Sequence, residues 1–65
     1  MTLAWRSARI ELVDGYVVLD SAGKPTAVVE NARVAIEGGF VHVEVAGSPE
    51  QAVSAPAVRL ISYIG

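Results

Sequence analysis

The chain has no cysteine, which excludes a disulfide framework and any cysteine-ligated zinc, so neither can staple the fold. Charge is scarce as well. Only 18% of the residues are charged, against about 25% in an average globular domain. No apolar run approaches the roughly 20 residues of a membrane span. The start, M-T-L-A-W-R-S-A-R, lacks the apolar core of a signal peptide. The chain is therefore expected in a cytoplasm, or in a particle assembled there, with no membrane partner. Basic residues are few and scattered: Arg6, Arg9, Lys24, Arg33 and Arg59, in a chain of net charge −2. That leaves no basic run to neutralise phosphates and makes nucleic acid a disfavoured partner.

What is present is aliphatic. Hydrophobic residues make up 52% of the chain, much of it Val and Ala, so each buried side chain removes modest area from water at about 25 cal/mol per Å². Sixty-five residues form a single domain near the lower limit at which a core alone offsets chain entropy. So little charge cannot coat the surface of so apolar a chain. Assembly into a symmetric homo-oligomer is the first expectation.

Helical periodicity is absent, whereas alternation and turn dipeptides recur. Asp14-Gly15 predicts a two-residue type I′ hairpin. It would set Leu12 against Val17, Ile10 against Leu19 and Arg9 against Asp20, with Ile10, Leu12, Val17 and Leu19 on one face. The stretch A-R-V-A-I-E-G-G-F-V-H-V-E-V, residues 32 to 45, predicts a second hairpin turning at Gly38-Gly39. Its register pairs Ile36 with Val41, Val34 with Val43 and Ala32 with Val45 on the inner side, and Glu37 with Phe40, Ala35 with His42 and Arg33 with Glu44 on the other. Glu30-Asn31 interrupts the alternation, which reads as a bulge or bend. Pro56 cannot donate to a ladder, so it closes a short strand at Ser54 or Ala55 and opens one turn before a last strand from about Arg59 to Ile64. The fold class is all-β: one small domain of about five strands, residues 1–65, with residues 1–7 as an N-terminal arm. It is an antiparallel meander that closes as an SH3-like small barrel or is completed by oligomerisation.

Candidate chemistry is thin. The serines lie in no nucleophile motif, so no catalytic residue is assigned and a non-enzymatic protein is expected. The lone His42 has Glu44 on its own strand face and Glu37 across the hairpin, but no second His or Cys completes a tetrahedral zinc set. No metal and no cofactor are expected. Asp20 to Lys24 lacks the full phosphate-loop frame and reads as a hairpin loop. Binding potential rests on large rings and arginine, which dominate interface energetics: Trp5, Arg6, Tyr16, Phe40, His42 and Tyr63 are the interface candidates. Trp5 and Arg6 would either fold back on their own domain or reach a neighbour. These features suit a structural or interaction protein, such as a decoration or scaffold component of a phage or bacterial assembly. The alternative is a small-molecule or nucleotide-binding module, sequestering or inhibitory, with pockets between subunits that converge arginine and aromatic groups.

Overall fold

A computed structural model describes residues 3–64. The strands are β1 (Arg6–Leu12), β2 (Val18–Leu19), β3 (Pro25–Thr26), β4 (Val28–Glu37), β5 (Phe40–Glu44), β6 (Gln51–Ser54) and β7 (Val58–Tyr63), with a 3₁₀ turn over Ala55–Ala57. Five of them form one antiparallel sheet in the order β6-β5-β4-β1-β7, and β2 and β3 form a separate ribbon. The molecule is all-β. No helix among the described residues is long and apolar enough to cross a membrane.

The second hairpin forms in the register its sequence dictates. Arg33, Val34, Ala35, Ile36 and Glu37 face Glu44, Val43, His42, Val41 and Phe40 in turn. Gly38 and Gly39 both take positive φ, 60° and 83°, as a type I′ turn requires. The irregularity at Glu30-Asn31 is a bulge. Ala8 faces Ala32 and Ile10 faces Val29, so Glu30 and Asn31 together oppose Arg9. Pro56 is the second residue of the 3₁₀ turn, where a missing N–H costs no hydrogen bond within the turn.

The first hairpin does not form, and this corrects the sequence expectation. Both edges of β1 are occupied, one by β4 and the other by β7, so no edge is left for residues 16–20. The N–H of Leu12 goes to the carbonyl of Ala27 at 2.7 Å and that of Val13 to Ala57 at 2.8 Å. Only Gly15 of the pair has positive φ, 93°; a single tight turn closes, with the Tyr16 N–H donating to the Val13 carbonyl at 3.1 Å. The chain then runs free to β2, which pairs with β3 through Val18 opposite Thr26 and Leu19 opposite Pro25. Its faces are inverted relative to expectation: Val18 is buried, while Val17 and Leu19 are exposed, the outcome of a register change on a period of two. Asp20 does not meet Arg9. Its carboxylate accepts from the N–H of Ala22 and of Lys24, both at 2.9 Å, and so closes the β2–β3 loop that the sequence marks as a hairpin connection.

β6 and β7 lie at opposite edges of the sheet, yet only the three-residue 3₁₀ turn joins them. The sheet therefore curls until its edges approach. They are not hydrogen-bonded to each other, so the closed barrel is replaced by a curled, open sheet. The inner face collects Ala8, Ile10, Leu12, Val29, Ala32, Val34, Val41, Val43 and Val45, with Val18 of the ribbon laid over it. Gln51, also on the inner side, fastens that ribbon. Its side-chain carbonyl accepts from the N–H of Leu19 at 2.8 Å and its amide donates to the Leu19 carbonyl at 3.0 Å.

Two stability outcomes follow. Gly39→Ala meets no neighbouring atom but puts a Cβ on a left-handed backbone, so it should cost about 1–2 kcal/mol in urea unfolding, whereas Gly38→Asn should cost far less. Gln51→Glu replaces the donor to the Leu19 carbonyl by a carboxylate, and a loss of about 1–2 kcal/mol is expected. An unchanged midpoint in either measurement would contradict the turn or the clasp.

Candidate functional site

The outer face of the sheet carries His42 and the ion pairs of Arg9 and Arg33. β5 alternates, sending Val41 and Val43 inward and Phe40, His42 and Glu44 outward. The register opposite β4 places Ala35 beside His42, and β6 places Ala52 on its other side. Between these two small neighbours the imidazole is left half-buried. Trp5, just before β1, meets it edge-on with ring centroids 6.5 Å apart. The indole packs in cis on this face, where Ala35 is 2% exposed. Arg33 lies with its guanidinium carbon 5.9 Å from the indole centroid, at the outer limit of cation–π attraction.

Two carboxylates flank His42. Nδ1 lies 3.3 Å from an oxygen of Glu50, and Nε2 lies 4.0 Å from an oxygen of Glu37. Glu37 was expected from the hairpin. Glu50 was not, because it arrives from the irregular segment before β6, where alternation carries no signal. Glu44, the other expected neighbour, is held by Arg33 at 3.2 Å instead. Among the described residues no group of three metal-ligating side chains is arranged to hold an ion.

The arginines are similarly engaged. Arg9 sits over the β-bulge, 3.2 Å from Glu30 and 3.2 Å from Glu11. Hydrogen bonds to Glu30 first, then to Glu11, push its pKa above the ordinary guanidinium value. Arg59 is the extra residue where β7 slips against β1, since Glu11 faces Leu60 and Leu12 faces Val58. It reaches Glu11 and Asp14, each at 3.4 Å. Arg6 lies over the ring of Tyr63 with its guanidinium carbon 3.9 Å from the centroid. Arg6 belongs to β1 rather than to a free arm. Met1 and Thr2 of the expected arm lie outside the described residues.

The six interface candidates therefore fall into three places. Trp5, His42 and Phe40 share the outer face, with Phe40 exposed at the hairpin end opposite Glu37 and Ser54. Arg6 and Tyr63 stack where the first strand meets the last. Tyr16 stands alone and exposed in the loop after β1. Sequence reasoning missed Leu60 and Ile64, both half-exposed near Tyr63. Their signal is the stretch L-I-S-Y-I, apolar except for Ser62, which reads equally as a buried strand. A surface depression of about 430 Å³ between Asn31, Arg33, Glu44 and Ser48 has no aromatic ring in its wall. Its one guanidinium is the one bound to Glu44.

His42 has partners that are exposed carboxylates, and such pairs contribute about 0–1 kcal/mol. His42→Ala should change thermal stability by no more than about 1 kcal/mol; a loss several times larger would show that the imidazole is structural. Comparison with protein-family models, with curated proteins and with solved structures finds no match to this chain.

Proposed function

We propose that this is a non-enzymatic structural or interaction protein that works as a symmetric homo-oligomer, an accessory component of a larger phage or bacterial assembly. The observation that carries the reading is the amount of large apolar surface the folded chain leaves outside. Tyr16, Val17, Leu19, Ile36, Phe40, Leu60, Tyr63 and Ile64 are all exposed, on a molecule with 4066 Å² of accessible surface. A soluble monomer carries single exposed apolar residues without consequence; so many on so small a surface are the mark of contact faces. Ile36 makes the point most directly. It occupies an inner-row position opposite Val41, yet is 58% exposed because the curled sheet has nothing left to cover its end.

Strand order, the ribbon inserted between β1 and β4, and the single 3₁₀ turn before β7 support reading the domain as an open relative of the SH3-like barrel. The open edges are part of the functional reading, because an unpaired strand recruits another. A ligand-binding reading finds less support. It needs guanidinium and aromatic groups converging on a free cavity, whereas Arg9, Arg33 and Arg59 are each held by carboxylates. Trp5 and His42 meet each other edge-on, and neither ring lines the depression beside Arg33. Catalysis is likewise unsupported, since the imidazole of His42 faces two carboxylates and an indole edge rather than a hydroxyl.

Light scattering on the full chain at micromolar concentration should return an integral multiple of 6.8 kDa, at least two. A mass of one chain across that range would refute the reading.

A further inference from the structure

We propose that the self-association takes place through the free edge of β7, by antiparallel pairing with the β7 of a second copy about a two-fold axis that passes beside Ser62. This rests on the homo-oligomer reading and specifies its interface. The N–H of Ile64 donates to the carbonyl of Ser7 at 2.9 Å, so residue 64 points its polar groups toward β1. In an antiparallel pair such residues alternate with ones whose groups point away. Ser62 opposite Arg9 and Leu60 opposite Glu11 therefore also bond to β1, while Ile61 and Tyr63 turn their N–H and C=O to the open side. Among the described residues β7 pairs with no strand but β1, and no other main-chain bond reaches Ile61 or Tyr63.

Edges that are meant to stay single are blunted by proline, lysine, charge or a short length. β6 is blunted in this way. It is four residues long, lies between Pro49 and Pro56, and exposes no large apolar side chain. β7 is not. From Leu60 to Tyr63 it has neither charge nor proline, and its one charged residue, Arg59, is turned aside at the bulge toward Glu11 and Asp14. Leu60, Tyr63 and Ile64 are 51%, 42% and 52% exposed along it.

The occupant is chosen by register. Residues whose groups point outward must meet their like, so Ile61 pairs with Tyr63 of the partner, and the reverse, through four main-chain hydrogen bonds. Ser62 then faces the partner's Ser62, and Leu60 faces the partner's Ile64. Every exposed apolar side chain of the edge meets another apolar one, and no charge approaches a like charge at the axis. Centring the pairing on Ile61 instead would set Leu60 against serine and Tyr63 against Arg59. The same patch serves both copies, as a two-fold contact requires.

The test uses the absence of native cysteine. Ser62→Cys in the full chain puts two thiols across a non-hydrogen-bonded pair at about the Cα spacing a disulfide accepts. Under mild oxidation it should cross-link to a dimer roughly tenfold or more faster than Ser54→Cys on β6, because pairing raises the effective thiol concentration. Ser62→Asp, which sets two carboxylates about 5 Å apart at the axis, should lower the mass in light scattering to one chain while circular dichroism keeps its strand signal. If Ser62→Asp fails to fold, the cross-linking ratio decides alone. An oligomeric parent whose Ser62→Asp variant folds and keeps its mass, or whose Ser62→Cys variant cross-links no faster than Ser54→Cys, overturns the β7 interface and leaves self-association standing. A parent of one-chain mass overturns both.

Discussion

The structure depends on β1 being paired along both edges. Its inner row, Ala8, Ile10 and Leu12, is at most 2% exposed. That burial is possible only because β4 lies on one side and β7 on the other. A two-stranded hairpin from Asp14-Gly15 would have buried the same residues along one edge only, and isolated hairpins are marginal in water. The double pairing wins because it covers Ile10 from both sides, with Val29 and Ile61 as direct neighbours. It also dictates the remainder. The segment from Val13 to Ala27 must leave the sheet and return to β4, and it comes back as a small ribbon over the core.

Because the core is made of small residues, its margin is narrow. Ile10, Val34 and Val43 are the largest side chains that are fully buried, and among the described residues no polar or charged side chain is buried at all. Specificity is therefore carried by register, bulges and turns rather than by buried hydrogen-bond networks. The Arg9 cluster shows the relation. The bulge that opposes Glu30 and Asn31 to Arg9 allows the inner row to continue from Val29 to Ala32, and it brings Glu30 and Glu11 to one guanidinium on the outer face.

How much of this could be read in advance depended on whether the signal was local. The register of β4 and β5 follows from two glycines and an unbroken alternation, and Pro56 marks its turn through a missing donor; each is a property of a few adjacent residues. The bulge at Glu30-Asn31 shows as a break in alternation for the same reason. The neighbours of β1 do not show, because Ala8 to Leu12 has the same apolar pattern whether its partner is residues 16–20 or residues 58–63. Only the competition between the two ladders decides. The site was legible in part on the same terms: Ala35 beside His42 and Glu37 across the turn follow from the hairpin, whereas Glu50 and the cis packing of Trp5 come from segments without periodicity. Arg6 over Tyr63 joins residues nearly the whole chain apart, and no local rule places them together.

The curl that buries β1 leaves the β6 and β7 edges unpaired, and on β7 nothing discourages a further strand. The proposed assembly through that edge would complete the same sheet with a second copy. Amide hydrogen exchange at Ile61 and Tyr63, followed as protein concentration is raised, tests this most directly. Their amides should exchange as open-edge groups at the lowest concentrations and become protected as the oligomer forms, while Ser62, already bonded to β1, stays protected throughout. Exchange at Ile61 and Tyr63 that is fast and indifferent to concentration would contradict the account.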